Sequence, residues 1–358
     1  MSRQDKSLRI RTFEFDEREM IPSNIILIAP TNSGKSIMIK YILSRLNAFR
    51  YGHVYLASGG KARNFYTEFM PSDHVKVLSN DDDSPSFVKD IEEQMKRSRL
   101  YCDTLTFLKD YVCKGKRQEL EVVHKIEKYG TLKYLDGRES HVFKIILERA
   151  KKRILLTPTK VDLYILGLDI RMFMVFDDVL GLEFLRRKGS PFTKLFTMGR
   201  HNYMTTIVAI QYLTGLNPIV RLNSKYIFVL GNITNSEAFF NYFASGYFVT
   251  RYRTNAVAKR AFNKVYEACT QNYGALVFNQ HSNHNDISSC FFHTRAPLYL
   301  RNFKACDVFF WEKQIRAGKL RDRQIRNSIT TNAVTVRRRR DPAARGRMKR
   351  RKRQKKIH

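Results

Sequence analysis

Acidic residues are scarce in this 358-residue chain: 33 Asp and Glu stand against 65 Lys and Arg, a formal net charge of +32. An excess of that size calls for a polyanionic partner, nucleic acid above all. Cysteine is sparse too. The five residues, Cys102, Cys113, Cys269, Cys290 and Cys306, show no paired spacing, which excludes a disulfide framework. Long apolar runs are missing. Met172 to Phe176 is typical of those present, far short of the about 20 residues that cross a bilayer as a helix. The start of the chain carries no signal-peptide pattern, so the expectation is a soluble cytosolic or nuclear protein, not a secreted one, with no membrane partner.

What is present suffices for a sizeable core. Hydrophobic residues make up 43% of the chain, enough for one large domain or a domain with an appendage. The charge is unevenly spread. Residues 337–358, RRRRDPAARGRMKRRKRQKKIH, hold thirteen Lys and Arg against one Asp, yet the rest of the chain still carries +20. A segment so poor in apolar residues is expected to be disordered by itself. Its uses can be nonspecific DNA binding, nuclear localisation or solubility.

One stretch carries chemistry directly. In IILIAPTNSGKSIMIKYIL (residues 25–43) an apolar run meets a small polar turn and then a helical pattern that continues past it, with Ile39, Leu43 and Leu46 on one face. A turn of this kind before a helix N-terminus presents backbone N–H groups to phosphate. The segment Ala29, Pro30, Thr31, Asn32, Ser33, Gly34, Lys35 and Ser36 matches G-x-x-x-x-G-K-[ST] except that alanine replaces the first glycine. Lys35 would reach the β/γ-phosphates and Ser36 would ligate Mg²⁺. The exchange at position 29 is mild provided that its φ stays negative.

Further apolar runs read as strands: an edge strand in IRTFEF (10–15), then HVYLAS (53–58), HVKVLS (74–79), RMFMVFDDVLG (171–181), MTTIVAIQYL (204–213), KYIFVLGN (225–232) and GALVFNQ (274–280). Their alternation with helical stretches predicts a parallel sheet with helices on both faces. Residues 87–155 break that rhythm as a helical insertion, and 302–330 read as basic helix. The acidic NDDDSPS (80–86) reads as a solvated loop and helix cap, without metal ligation.

Hydrolysis needs an acid beside the P-loop. MFMVFDD places Asp177 at the C-terminal end of a strand, where open α/β sheets bind ligands. Asp177 is the metal-side residue on this reading and Asp178 the candidate general base. Gln211, after MTTIVAI, can hydrogen-bond the γ-phosphate or the attacking water. Arg200 and Arg221 flank that strand, and either can stabilise the transferring phosphoryl group across a subunit boundary. His281, His284, Cys290 and His293 could ligate zinc by count, but they read better as polar loop histidines and a core cysteine.

The ordered set APTNSGKS, MVFDDVL, GRHNYMTTIVAIQY and VRLNSKYIFVL resembles the poxvirus-type genome-packaging ATPases of large eukaryotic DNA viruses and Polinton- or virophage-like elements, in the FtsK–HerA branch of P-loop ATPases. The resemblance covers roughly residues 22–232, without the helical insertion. It implies an α/β, RecA-like P-loop domain over 1–336 with a central, mainly parallel sheet, followed by the basic tail. It also implies a homo-oligomeric ring that uses ATP and Mg²⁺ to drive double-stranded DNA into a preformed capsid, with capsid or portal partners, in a host nucleus or viral factory. The alternatives are a P-loop helicase or other DNA-dependent ATPase, a small-substrate kinase, or a nucleic-acid-binding protein whose nucleotide site is vestigial.

Overall fold

The computed structural model describes residues 10–46, 51–79, 86–114, 171–187, 189–231, 236–282, 286–300 and 302–306, with Trp311 and Gln314. The acidic loop ahead of Ser86, most of the helical insertion, most of the 302–330 segment and the basic tail lie outside them. The insertion is described from its start: Ser86–Lys114 is one helix.

Among the described residues nine strands form one sheet: β1 (Arg11–Thr12), β2 (Asn24–Ile28), β3 (Tyr51–Leu56), β4 (Val75–Val77), β5 (Met172–Asp177), β6 (Met204–Ile210), β7 (Tyr226–Leu230), β8 (Gly274–Asn279) and β9 (Phe291–Arg295). Their order is β1-β9-β8-β7-β2-β6-β5-β3-β4. From β7 to β4 every pairing is parallel, as expected. The remaining edge makes the sheet mainly and not wholly parallel, because β8 runs antiparallel to both β7 and β9. The cause is an extra crossing. Between β7 and β8 the chain forms a helical run over 236–252 and a second helix, Asn255–Thr270, packed against it. Two helices return the chain to the end it left, so β8 must enter reversed.

Burial explains why the central strands are continuous apolar runs: helices cover both faces. Side chains alternate between the two sides. Ile25 and Leu27 of β2 pack with Met38, Ile39, Ile42 and Leu43 of the helix Lys35–Arg45. Ile26 and Ile28 face the other way, in a core with Phe192, Leu195 and Phe196 of the helix Pro191–Met198. That helix starts where its sequence says it should. Ser190 caps it by accepting a hydrogen bond from Thr193 N, and Pro191 sits in its first turn.

The strand β1 lies at the sheet edge, paired in parallel with β9. The strand β9 itself was absent from the sequence reading. His293 belongs to it, not to a loop, and its Nδ1 lies 3.1 Å from Arg11 O. Cys290 ends a short helix and is fully buried, as a core cysteine should be. His284 lies outside the described residues. No cluster of His, Cys, Asp or Glu suited to a metal ion occurs among the described residues.

Candidate active site

The P-loop leaves β2 at its C-terminal end. Ala29 is still held in the sheet there, its N–H donating to Ile210 O of β6 at 2.8 Å, and it is fully buried. Left-handed backbone in the loop falls at Asn32 (φ 61°) and Gly34 (φ 88°), not at Ala29, so the first glycine of the motif is dispensable here. The loop closes on itself: Ser33 Oγ and Ser33 N both donate to Pro30 O, at 2.7 and 3.3 Å. Gly34 then starts the helix Lys35–Arg45 without any side-chain cap, which leaves the first amides of that helix for a ligand. Gly231, at the end of β7 with φ 64°, presses on the loop from the side. A Cβ added there would lie 3.2 Å from Ser33 Cβ.

The strand order brings the acids to this loop. β6 lies between β2 and β5, so Asp177, at the end of β5, and Gln211, just past β6, open onto the same edge as Lys35. Asp177 is almost completely buried. It accepts from Ser36 Oγ at 3.2 Å and from Tyr66 OH at 2.7 Å, both on Oδ2, while Lys35 Nζ stands 3.2 Å from Oδ1. Burial, and then the Asp177 carboxylate, push the Tyr66 phenol well above its ordinary value, so it remains a donor.

Asp178 shares Lys35 but differs in burial and backbone. Its side chain is 54% exposed and its backbone is left-handed, at φ 59°. Its Oδ1 accepts from Lys35 Nζ and from Gln211 Nε2, each at 3.0 Å. Partial burial raises its carboxyl pKa, but Lys35 and Gln211 together outweigh that effect and hold it below the ordinary carboxylate value. The arrangement is therefore a buried acid beside a hydroxyl, and an exposed acid beside an amide, with one lysine shared by both.

That division suits two chemical tasks. Ser36 and Asp177 are adjacent hard oxygen donors, and Asp177 Oδ1 has Lys35 as its ion-pair partner. The pair fits Mg²⁺, which takes oxygen ligands and keeps several of its waters. The exposed Asp178 and Gln211 can reach a water molecule at the cavity side. Both pairs line a cavity of about 520 Å³, which also takes in the loop residues Thr31, Asn32 and Gly34 and the side chain of Tyr273. That volume is in the usual range for a small-molecule site.

The two arginines are elsewhere. Arg200 precedes β6 at the end opposite Gln211, so the length of the strand, roughly 20 Å, separates it from its own P-loop. It lies close enough to His281, after β8, to lower that imidazole's pKa, second to the effect of burial. Arg221 is turned inward. Its Nη1 donates to Leu216 O at 2.9 Å and Leu213 O at 3.3 Å, and its guanidinium stacks 4.6 Å from the ring centre of Tyr242.

Two residues of this site escaped the sequence reading. Tyr66 lies among Phe65 and Phe69 on the helix Lys61–Thr67 and the turn after it, a pattern that reads as core; the signal was that a buried phenol needs an acceptor. Tyr273 sits in a turn before β8 with no motif around it.

No protein-family model matches the chain. A stretch of 116 residues, 32% of this chain, is 29% identical to the uncharacterized protein L437 of Acanthamoeba polyphaga mimivirus and spans 38% of that protein's length. Among solved structures, the genome packaging NTPase B204 of Sulfolobus turreted icosahedral virus 2, in complex with ATP-gammaS, aligns over 79% of this chain and its own full length. Its identity is 13% and the TM-score 0.41. EssC (ATPases 2 and 3) from Geobacillus thermodenitrificans aligns over 82% of this chain and 42% of its own, at 13% identity and TM-score 0.40.

Proposed function

We propose that this protein is an ATP-hydrolysing motor that moves double-stranded viral DNA into a preformed capsid. The observation that carries the reading is the pair of acids around Lys35: one buried beside Ser36, one exposed beside Gln211. Lys35 and the loop amides neutralise the β- and γ-phosphates, Ser36 and Asp177 hold Mg²⁺, and Gln211 senses the γ-phosphate while Asp178 takes a proton from the attacking water. Bound Mg²⁺ supplies charge stabilisation on the transferring phosphoryl group.

The motor half of the proposal rests on charge and on the motif resemblance. A packaging motor must move any sequence, so it grips the DNA backbone, and a body carrying +20 with a tail carrying +12 suits that task. Arg200, remote from its own site, is the arginine we assign to a neighbour's nucleotide in a ring of identical chains. Arg221, bonded within its own chain, serves as an anchor for the segment it closes.

Displacement of a third strand from a DNA triplex tests translocation directly. Protein loaded on the duplex arm should displace the third strand only with hydrolysable ATP and Mg²⁺. Separation of the duplex itself would mark a helicase instead. ATP turnover without displacement would leave a nucleotide hydrolase that does not move along DNA.

A further inference from the structure

We infer that Tyr273 is the side chain against which the base of the bound nucleotide packs; the inference rests on the proposed ATP site and names a part of it. The terminal-phosphate end of the cavity is fixed by Lys35, Asp177, Asp178 and Gln211, on the β5 and β6 side of β2. A triphosphate whose last phosphate sits there runs across the loop at Gly34 and delivers its base toward the other side of β2, where β7 and β8 lie. Tyr273 immediately precedes β8 and lines the same cavity. A Cβ added at Gly34 would lie 3.3 Å from Tyr273 Cδ1, so the ring already rests against the loop backbone.

The ring is held in place at a cost. Asn272 and Tyr273 are consecutive residues with left-handed backbone, at φ 51° and 60°, a conformation unfavourable for residues with a Cβ. Arg295 Nη2 donates to Gln271 O at 3.2 Å and ties the turn to the end of β9. A large aromatic side chain, 62% exposed, thus stands at the mouth of a polar cavity instead of folding into a core. The face of an aromatic ring stacks on any base, so Tyr273 distinguishes a nucleoside triphosphate from bare polyphosphate without selecting strongly among bases.

Binding of ATP and of inorganic tripolyphosphate, each with Mg²⁺, to the full chain tests the assignment. Tyr273→Gly removes the ring and suits the left-handed backbone, so the fold is retained. It should weaken ATP binding by about tenfold or more and leave tripolyphosphate binding unchanged, whereas Tyr273→Phe should bind ATP as the native chain does. ATP bound equally well by Tyr273→Gly, or both ligands weakened to the same extent, would overturn the assignment while the P-loop site stands. A native chain that binds neither ligand would remove the nucleotide site itself, and this role of Tyr273 with it.

Discussion

Lys35 and Asp178, 143 residues apart in the chain, meet at 3.0 Å between Nζ and Oδ1. The same ammonium stands 3.2 Å from Asp177, so the cation that would neutralise phosphate is held by both acids. In the proposed Mg·ATP complex Lys35 would turn to phosphate, Asp177 would hold the metal, and Asp178 would be left with Gln211. Lys35 is the main influence that lowers the Asp178 pKa, so its withdrawal to phosphate would leave that carboxylate more basic.

The two acids should therefore fail differently. Asp178→Asn should bind Mg·ATP normally and turn over roughly 10²–10⁴-fold more slowly, the usual loss when a general base is removed. Asp177→Asn should instead lose the Mg²⁺ dependence of ATP binding. Single-turnover rates beside equilibrium binding separate the two. Tight binding with slow turnover in Asp177→Asn would reverse the assignment.

Much of this site is legible in the sequence because its parts are local. The loop from Ala29 to Ser36 is contiguous, and Asp177, Asp178 and Gln211 each end an apolar run whose strand end is easily recognised. Tyr66 and Tyr273 are not legible, since each reaches the site only through the tertiary fold. The direction of β8 is hidden for a related reason. GALVFN reads as a strand either way, and its sense depends on whether one helix or two precede it. The run 236–252 contains a π turn over Phe240–Ala244 and the left-handed Arg253 closes it, details that composition does not announce.

Tyr66 offers a prediction that sequence motifs would not suggest. Tyr66→Phe keeps the ring and removes one donor from Asp177 Oδ2, an interaction worth about 1.5–3 kcal/mol when the acceptor is charged. The Mg²⁺ concentration needed for half-maximal ATP turnover should shift several-fold, and DNA affinity should not change. An unaltered Mg²⁺ requirement would confine Tyr66 to packing.

Acid should loosen the β3–β4 edge. Burial pushes His74 down to about 4, and His53, stacked on it at 4.8 Å, also falls well below its ordinary value, again through burial first. Both imidazoles are thus neutral in the folded protein, His74 with a ring nitrogen 2.8 Å from Gly52 O. The unfolded chain binds more protons between pH 6.5 and 4, so their contribution is intact above pH 6.5 and is lost as pH falls through that window. For His74 alone the loss is roughly 3 kcal/mol. Thermal unfolding followed from pH 7 to pH 4.5 should show Tm falling, with a shallower slope in His74→Gln. Parallel slopes would show that other groups govern the acid limb.

Arg200 should act in trans. Arg200→Ala should bind ATP almost normally but lose turnover, by ~10³–10⁵ if it serves as an arginine finger. Mixed with Lys35→Ala, it should regain part of the activity, because one boundary in the mixed ring pairs an intact loop with an intact arginine. Absence of rescue together with turnover independent of protein concentration would indicate a monomeric enzyme.

The most direct measurement is ATP turnover by the full chain without DNA, with single-stranded DNA and with duplex DNA, beside Lys35→Ala as control. A duplex-driven motor predicts low turnover alone, strong stimulation by duplex of any sequence, weaker stimulation by single strands, and none of it in Lys35→Ala. Turnover that ignores duplex DNA, or that survives the loss of Lys35, would contradict the account.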